Sequence, residues 1–181
     1  MNLALQSHDV RGIGCKPLKH AKIDIWQCDA AGRYSDARDN GTSGEKFLSG
    51  FQTADSDGGL RFLTVYPGWY HGRTVPIHFR VRRTLENGTL EQFASQLYFS
   101  DDLSAKVFKQ QPDAGRRGRD TNNGNDMIPH GGQRDGAVLC PAMKTLADRS
   151  YQGRLAVGID FSKQTDERLA GYRGPRRGGP F

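Results

Sequence analysis

The chain has little of what would staple it together or hold it in a membrane. Its 181 residues include three cysteines, an odd number that leaves at least one thiol unpaired within the chain. Cys15 falls in the turn region between two early strands. Cys28 lies about seven residues, or roughly 23 Å of extended chain, beyond the start of the second strand. That separation exceeds disulfide reach. Cys140 follows the apolar Ala137-Val138-Leu139 and is expected to be buried rather than reactive. The pattern favours reduced thiols over a disulfide framework. No run of about 18 apolar residues occurs, so no membrane span is expected. The segment 1–10 lacks the charged start and apolar core of an export leader, and a cytoplasmic location is the expectation. No internal repeat is present.

What the chain does have is enough length for one sizeable core and not two. Alternation of apolar and polar residues supports strands at 22–28, 59–66, 74–82, 93–99 and 153–161, separated by Gly, Asp and Asn clusters. Five or more short strands with turn signals indicate an all-β, single-domain sandwich with long loops. Leu103, Val107 and Phe108 recur at helical spacing and predict one short surface helix over 101–109. The sandwich domain is expected to occupy 1–161. Residues 162–181 form a Gly/Arg/Pro-rich tail that cannot bury enough apolar surface to order itself.

Much of the formal net charge of +6 and the pI near 9.4 comes from that tail and from Gly115-Arg116-Arg117-Gly118-Arg119. Arg-Gly tails can contact phosphates, but this one reads as a solvated end, and no nucleic-acid partner is expected. A basic field would instead draw in anionic aromatic acids.

The densest chemistry lies in Pro67-Gly68-Trp69-Tyr70-His71-Gly72-Arg73-Thr74-Val75-Pro76-Ile77-His78-Phe79, together with the earlier Gly32-Arg33-Tyr34-Ser35. Phenolates and imidazoles on rigid strands suit a hard, ferric ion, whereas a thiolate cage suits zinc or copper. A tyrosine, with an ordinary pKa of ~10, ligates only if the cation drives its proton off. His8, His20 and His130 have no matching partners and read as surface residues. Tyr66 and Trp69 flank Tyr70, where aromatic residues at a strand end are more often core than pocket lining.

These residues resemble the intradiol ring-cleavage dioxygenases, the non-haem ferric enzymes related to catechol and protocatechuate dioxygenases. The resembling segments run in the family's order. They are Pro17-Leu18, the stretch from Ile23 to Ser35, Gly50-Phe51-Gln52-Thr53, Asp57-Gly58-Gly59-Leu60-Arg61-Phe62, Tyr66 to Tyr70, Arg73 to Phe79, and Ser95-Gln96-Leu97-Tyr98-Phe99. The resemblance implies the same β-sandwich and an Fe(3+) site with Tyr34, Tyr70 and His78 as ligands. It places the family's first His-x-His histidine at position 76, where this sequence has Pro76, which offers neither a nitrogen lone pair nor a ladder N–H. His71 adjoins Tyr70 and is the one candidate substitute ligand. The competing reading makes it a solvent-facing loop residue, because neighbours in extended chain point to opposite faces.

By position, Arg73 corresponds to the arginine beside the bound catecholate, and Gln96 to a glutamine near the iron. Tyr70 corresponds to the tyrosinate that substrate displaces. The implied activity is cleavage of a catechol-type ring by O2 to a muconate-type diacid, with no organic cofactor. The expected partners are a small aromatic diol and O2, with a homo-oligomer left open. The alternative, favoured by Pro76, is a non-catalytic sandwich that has lost its iron and serves as a binding module.

Overall fold

The computed structural model describes residues 1–110, 118–126 and 139–162. Most of the basic 115–119 loop, His130 and the Gly/Arg/Pro tail lie outside them. Two sheets face each other. The first is built on β1 (Asn2–Asp9), which pairs with β2 (Lys16–Pro17) near one end and antiparallel with β5 (Gly59–Leu63) along the rest of the same side. On its other side β1 runs parallel to β9 (Tyr151–Ile159), which pairs antiparallel with β8 (Ala142–Thr145). The second sheet has the order β4 (Ser49–Thr53), β3 (Lys22–Trp26), β6 (Ile77–Thr84), β7 (Leu90–Leu97), all antiparallel. The sequence therefore folds as the expected all-β sandwich.

Period-2 alternation explains which face is which. Leu3 and Leu5 of β1, Ile23 and Ile25 of β3, Ile77, Phe79 and Val81 of β6, and Val157 and Ile159 of β9 are all buried in one cluster between the sheets. The intervening positions of β3 and β6, Asp24, Trp26, His78, Arg80 and Arg82, lie on the outer face of the second sheet. Trp26, His78 and Gln96 lie side by side at one end of that sheet, where the loop after β3 and the loop before β6 meet it.

The expected helix is present as α1 (Asp101–Phe108), with Ser100 as its N-cap: the Ser100 Oγ accepts from the Leu103 N–H at 3.3 Å. The strand expectations need correction at their edges. The strand expected at 59–66 stops at Leu63, after which the Thr64 N–H donates to the Met1 carbonyl. The one expected from 74 starts at Ile77, because the Thr74 N–H is taken by the Asp126 carboxylate and Pro76 has none to give. β2, β4 and β8 were not expected, and β1 was expected only as the earlier of the two strands around Cys15, without bounds. β4 is exposed along its whole length, whereas β1 buries Leu3, Leu5 and Ser7 in alternation. Cys15, Cys28 and Cys140 are all free. Cys140 is exposed, contrary to expectation, because Pro141 takes the inward position instead.

Candidate active site

Two loops bring the tyrosines together, and glycines let them touch. Gly32 sits at φ +81°, and a Cβ there would lie 2.2 Å from the Trp69 carbonyl oxygen. A Cβ on Gly68 would meet the Ala30 carbonyl at 2.3 Å. Real side chains do not approach so closely, so backbone packs directly on backbone here. Asp29 ties the contact. Its carbonyl accepts from the N–H groups of Gly32 (3.0 Å) and Gly68 (2.9 Å), and its carboxylate accepts from the N–H groups of Ala31 and Arg33, both at 2.9 Å. The Cys28 thiol donates to the Gly68 carbonyl at 3.2 Å.

From these loops Tyr34 and Tyr70 meet edge to face, with hydroxyl oxygens 3.2 Å apart. The His78 Nε2 lies 3.1 Å from the Tyr34 hydroxyl. His78 is 3% exposed and stacks on Trp26, with centroids 5.1 Å apart and planes at 8°. Strand register accounts for the row: Trp26, His78 and Gln96 are opposite one another on β3, β6 and β7. Gln96 in turn touches Arg73, whose Nη2 donates to the Gln96 Oε1 at 2.7 Å, and the Tyr98 hydroxyl donates to the same oxygen at 3.0 Å.

Five of the residues singled out in the sequence thus form one continuous group: Tyr34, Tyr70, His78, Arg73 and Gln96. His71 stands apart. Its side chain is 91% exposed and its Nδ1 is 2.5 Å from an Asp120 carboxylate oxygen. Pro76 is buried just ahead of β6. Tyr66 is core, its hydroxyl paired with Ser104 at 2.9 Å.

Burial holds the Tyr34 phenol well above its usual pKa, helped by the neighbouring Tyr70 and Cys28 and opposed by the positive charge of Arg73. Burial likewise raises Tyr70, with the Tyr34 hydrogen bond and Arg73 opposing. Both are neutral phenols unless a cation displaces their protons. Among the described residues no cluster of three or more His, Cys, Asp or Glu side chains is placed to hold a metal, so a metal here depends on tyrosine oxygen. Donor separations of 3.1 and 3.2 Å match the edges of a coordination polyhedron with bonds of about 2 Å. Two phenol oxygens and one imidazole suit ferric iron. The residues present fit that ion as three ligands.

Sequence reasoning missed Trp26 as the plate under His78, and it missed Asp126. The latter sits in Thr121-Asn122-Asn123-Gly124-Asn125-Asp126, which reads as an ordinary polar loop, and its partner Arg73 is 53 residues away. No local spacing could have revealed it.

A protein-family model described as "Dioxygenase" matches residues 2–109. The chain is 32% identical over 116 residues to the protocatechuate 3,4-dioxygenase beta chain of Burkholderia cepacia, a match covering 57% of this chain and 48% of that one. It thus spans about half the length of that relative. In structure it is similar to the intradiol ring-cleavage dioxygenase of Tetranychus urticae, at TM-score 0.73 and 27% identity over 92% of this chain and 83% of that one. It also shares its fold with the catechol 1,2-dioxygenase of Acinetobacter sp. ADP1, at TM-score 0.51 and 16% identity, over 97% of this chain and 56% of that one.

Proposed function

Because this chain belongs to the intradiol ring-cleavage dioxygenase family, we propose that it is an iron(III)-dependent dioxygenase that opens a catechol-type ring between its two hydroxyl-bearing carbons. The product is a muconate-type diacid. The observation that carries this reading is the convergence of the Tyr34 and Tyr70 hydroxyls with the His78 Nε2, each within 3.2 Å of its neighbour.

Tyr34, Tyr70 and His78 would hold the iron. When bound, it supplies Lewis-acid polarisation of the diol and a route for the ring to react with O2. The protein's own groups do the rest. Trp26 keeps the His78 ring in one plane through face-to-face stacking. Tyr70 would be the ligand that yields to substrate, its Oη, deprotonated while it holds the ion, being where a catechol proton would go. Arg73 presents a guanidinium beside both phenols and stabilises negative charge developing on the ring. Gln96 fixes the far edge of that guanidinium.

A second reading, a metal-free sandwich serving as a binding module, is favoured by Pro76 alone. One experiment separates the two. Iron is added to the purified protein, metal content is measured, and the visible spectrum is followed as catechol is added. Stoichiometric iron with a tyrosinate charge-transfer band that shifts on catechol supports the enzyme. No iron and no band would overturn it in favour of the module.

A further inference from the structure

The segment 118–126 lies beyond the residues that the family model matches, yet it straps down the loop that carries Arg73. The Gly72 N–H points at the Asp120 carboxylate, 3.3 Å from each oxygen. The Thr74 Oγ1 donates to the Asn123 Oδ1 at 2.7 Å, and the Asn123 amide donates to the Phe99 carbonyl at 2.8 Å. At the end of the strap the Asp126 side chain has no solvent exposure. One of its oxygens accepts from both the Thr74 N–H (2.6 Å) and the Arg73 Nε (3.0 Å).

A single buried carboxylate therefore fixes the backbone at 74 and the side chain at 73. Gln96, on β7, holds the Nη2 from another direction. With Nε and Nη2 both committed to acceptors on different elements, the plane of the guanidinium is set. Neither of these two acceptors takes the Nη1. Charge neutralisation alone would not require this arrangement, since a carboxylate anywhere nearby would serve. The shared oxygen and the choice of Nε are what orientation requires.

We propose that Asp126 is a positioning residue, which aims the Arg73 guanidinium at the catecholate. The role rests on the dioxygenase reading above. It has a distinguishing sign. Replacing Asp126 by a neutral isostere leaves the site more positive, so a carboxylate that only tempers charge predicts tighter binding of an anionic catecholate on its removal. A carboxylate that orients predicts weaker binding.

The test uses the full chain carrying Asp126→Asn, with Asp126→Glu as its charged counterpart. Two readouts are taken: exchange with water of the Arg73 Nε–H by NMR in the metal-free protein, and anaerobic titration of the iron-loaded protein with catechol, followed by turnover. The expected results for Asp126→Asn are exchange at least tenfold faster, unchanged iron stoichiometry, a catechol Kd raised about tenfold and a lower kcat. Asp126→Glu is expected to restore part of each. Unchanged exchange, or catechol bound as tightly as by the parent or more so, would overturn the role. Should Asp126→Asn fail to fold, Asp126→Glu decides alone: a folded Glu variant with parental exchange and parental Kd overturns it, and intermediate values support it. If the parent protein itself takes up no iron, the dioxygenase reading fails, and with it any role toward catecholate. The exchange measurement then still reports whether Asp126 holds Arg73.

Discussion

Pro76 is buried in the segment that leads into β6, two positions before His78. Residues two apart in extended chain share a face, so a histidine there would point with His78 toward the two tyrosines. Pro76→His is expected to raise iron affinity by roughly tenfold or more, since even hydrogen-bonding partners of metal ligands matter on that scale. Iron titration with a chromophoric competitor reads it, and an unchanged affinity would mean that position 76 is not the vacated ligand position. Cys28 offers a second prediction. Burial, with the charge of Asp29 adding to it, pushes its thiol up to about 12, so almost no thiolate exists at pH 8. Iodoacetamide at that pH should label the exposed Cys15 first, Cys140 more slowly because partial burial and then the charge of Asp101 push its thiol up, and spare Cys28, as peptide mass mapping would reveal. The tyrosines, His78, Arg73 and Gln96 were legible because each stands in a recognisable motif. Asp126 and Trp26 were not, because their roles come from contacts across the fold.

Among the elements, the paired loops at 29–32 and 67–70 are the ones the site depends on. Gly32→Ala forces a side chain into left-handed backbone, at a cost of about 1–2 kcal/mol before any clash. Gly68→Ala drives a methyl group into the Ala30 carbonyl. Both variants are expected to melt earlier and to lose the iron charge-transfer band disproportionately. Thermal denaturation beside the visible spectrum tests this, and a full band in either variant would show that the tyrosines do not need this contact. Element boundaries were the least readable feature. β6 begins late because its first N–H groups are engaged by the strap or missing at Pro76. β4 escaped notice because no face of it is buried, so it carries no apolar alternation to read. The core strands β3, β5, β6, β7 and β9 were found because one face of each is buried.

The two sheets are also joined by charge. Asp9 of β1 and Glu91 of β7 share Arg11 and Arg83 in ion pairs of 2.6–2.9 Å, and both guanidiniums lie over the Phe161 ring at 5.2 and 4.7 Å. Hydrogen bonds from Arg11, then Arg83, hold the Asp9 carboxyl well below its usual range, and the same two arginines depress Glu91. A depressed folded-state pKa contributes stability that is fully present above the unfolded value near 4 and is lost as pH falls through the folded value. The melting temperature should therefore drop steeply below about pH 4. Arg83→Ala should cost roughly 2 kcal/mol at neutral pH and flatten that acid dependence, both measurable by urea denaturation across pH.

The parallel seam between β1 and β9 pairs Asn2 with Gln152 and Asp9 with Ile159. Contacts so distant along the chain form slowly, because loop-closure entropy is spent before they can form. As this sequence leaves the ribosome, β1 can find β2 and β5 early but must wait with its other edge bare until β9 emerges. In that interval the half-made sheet is a template for other strands, and the nascent chain offers for aggregation an edge that β9 covers in the finished protein.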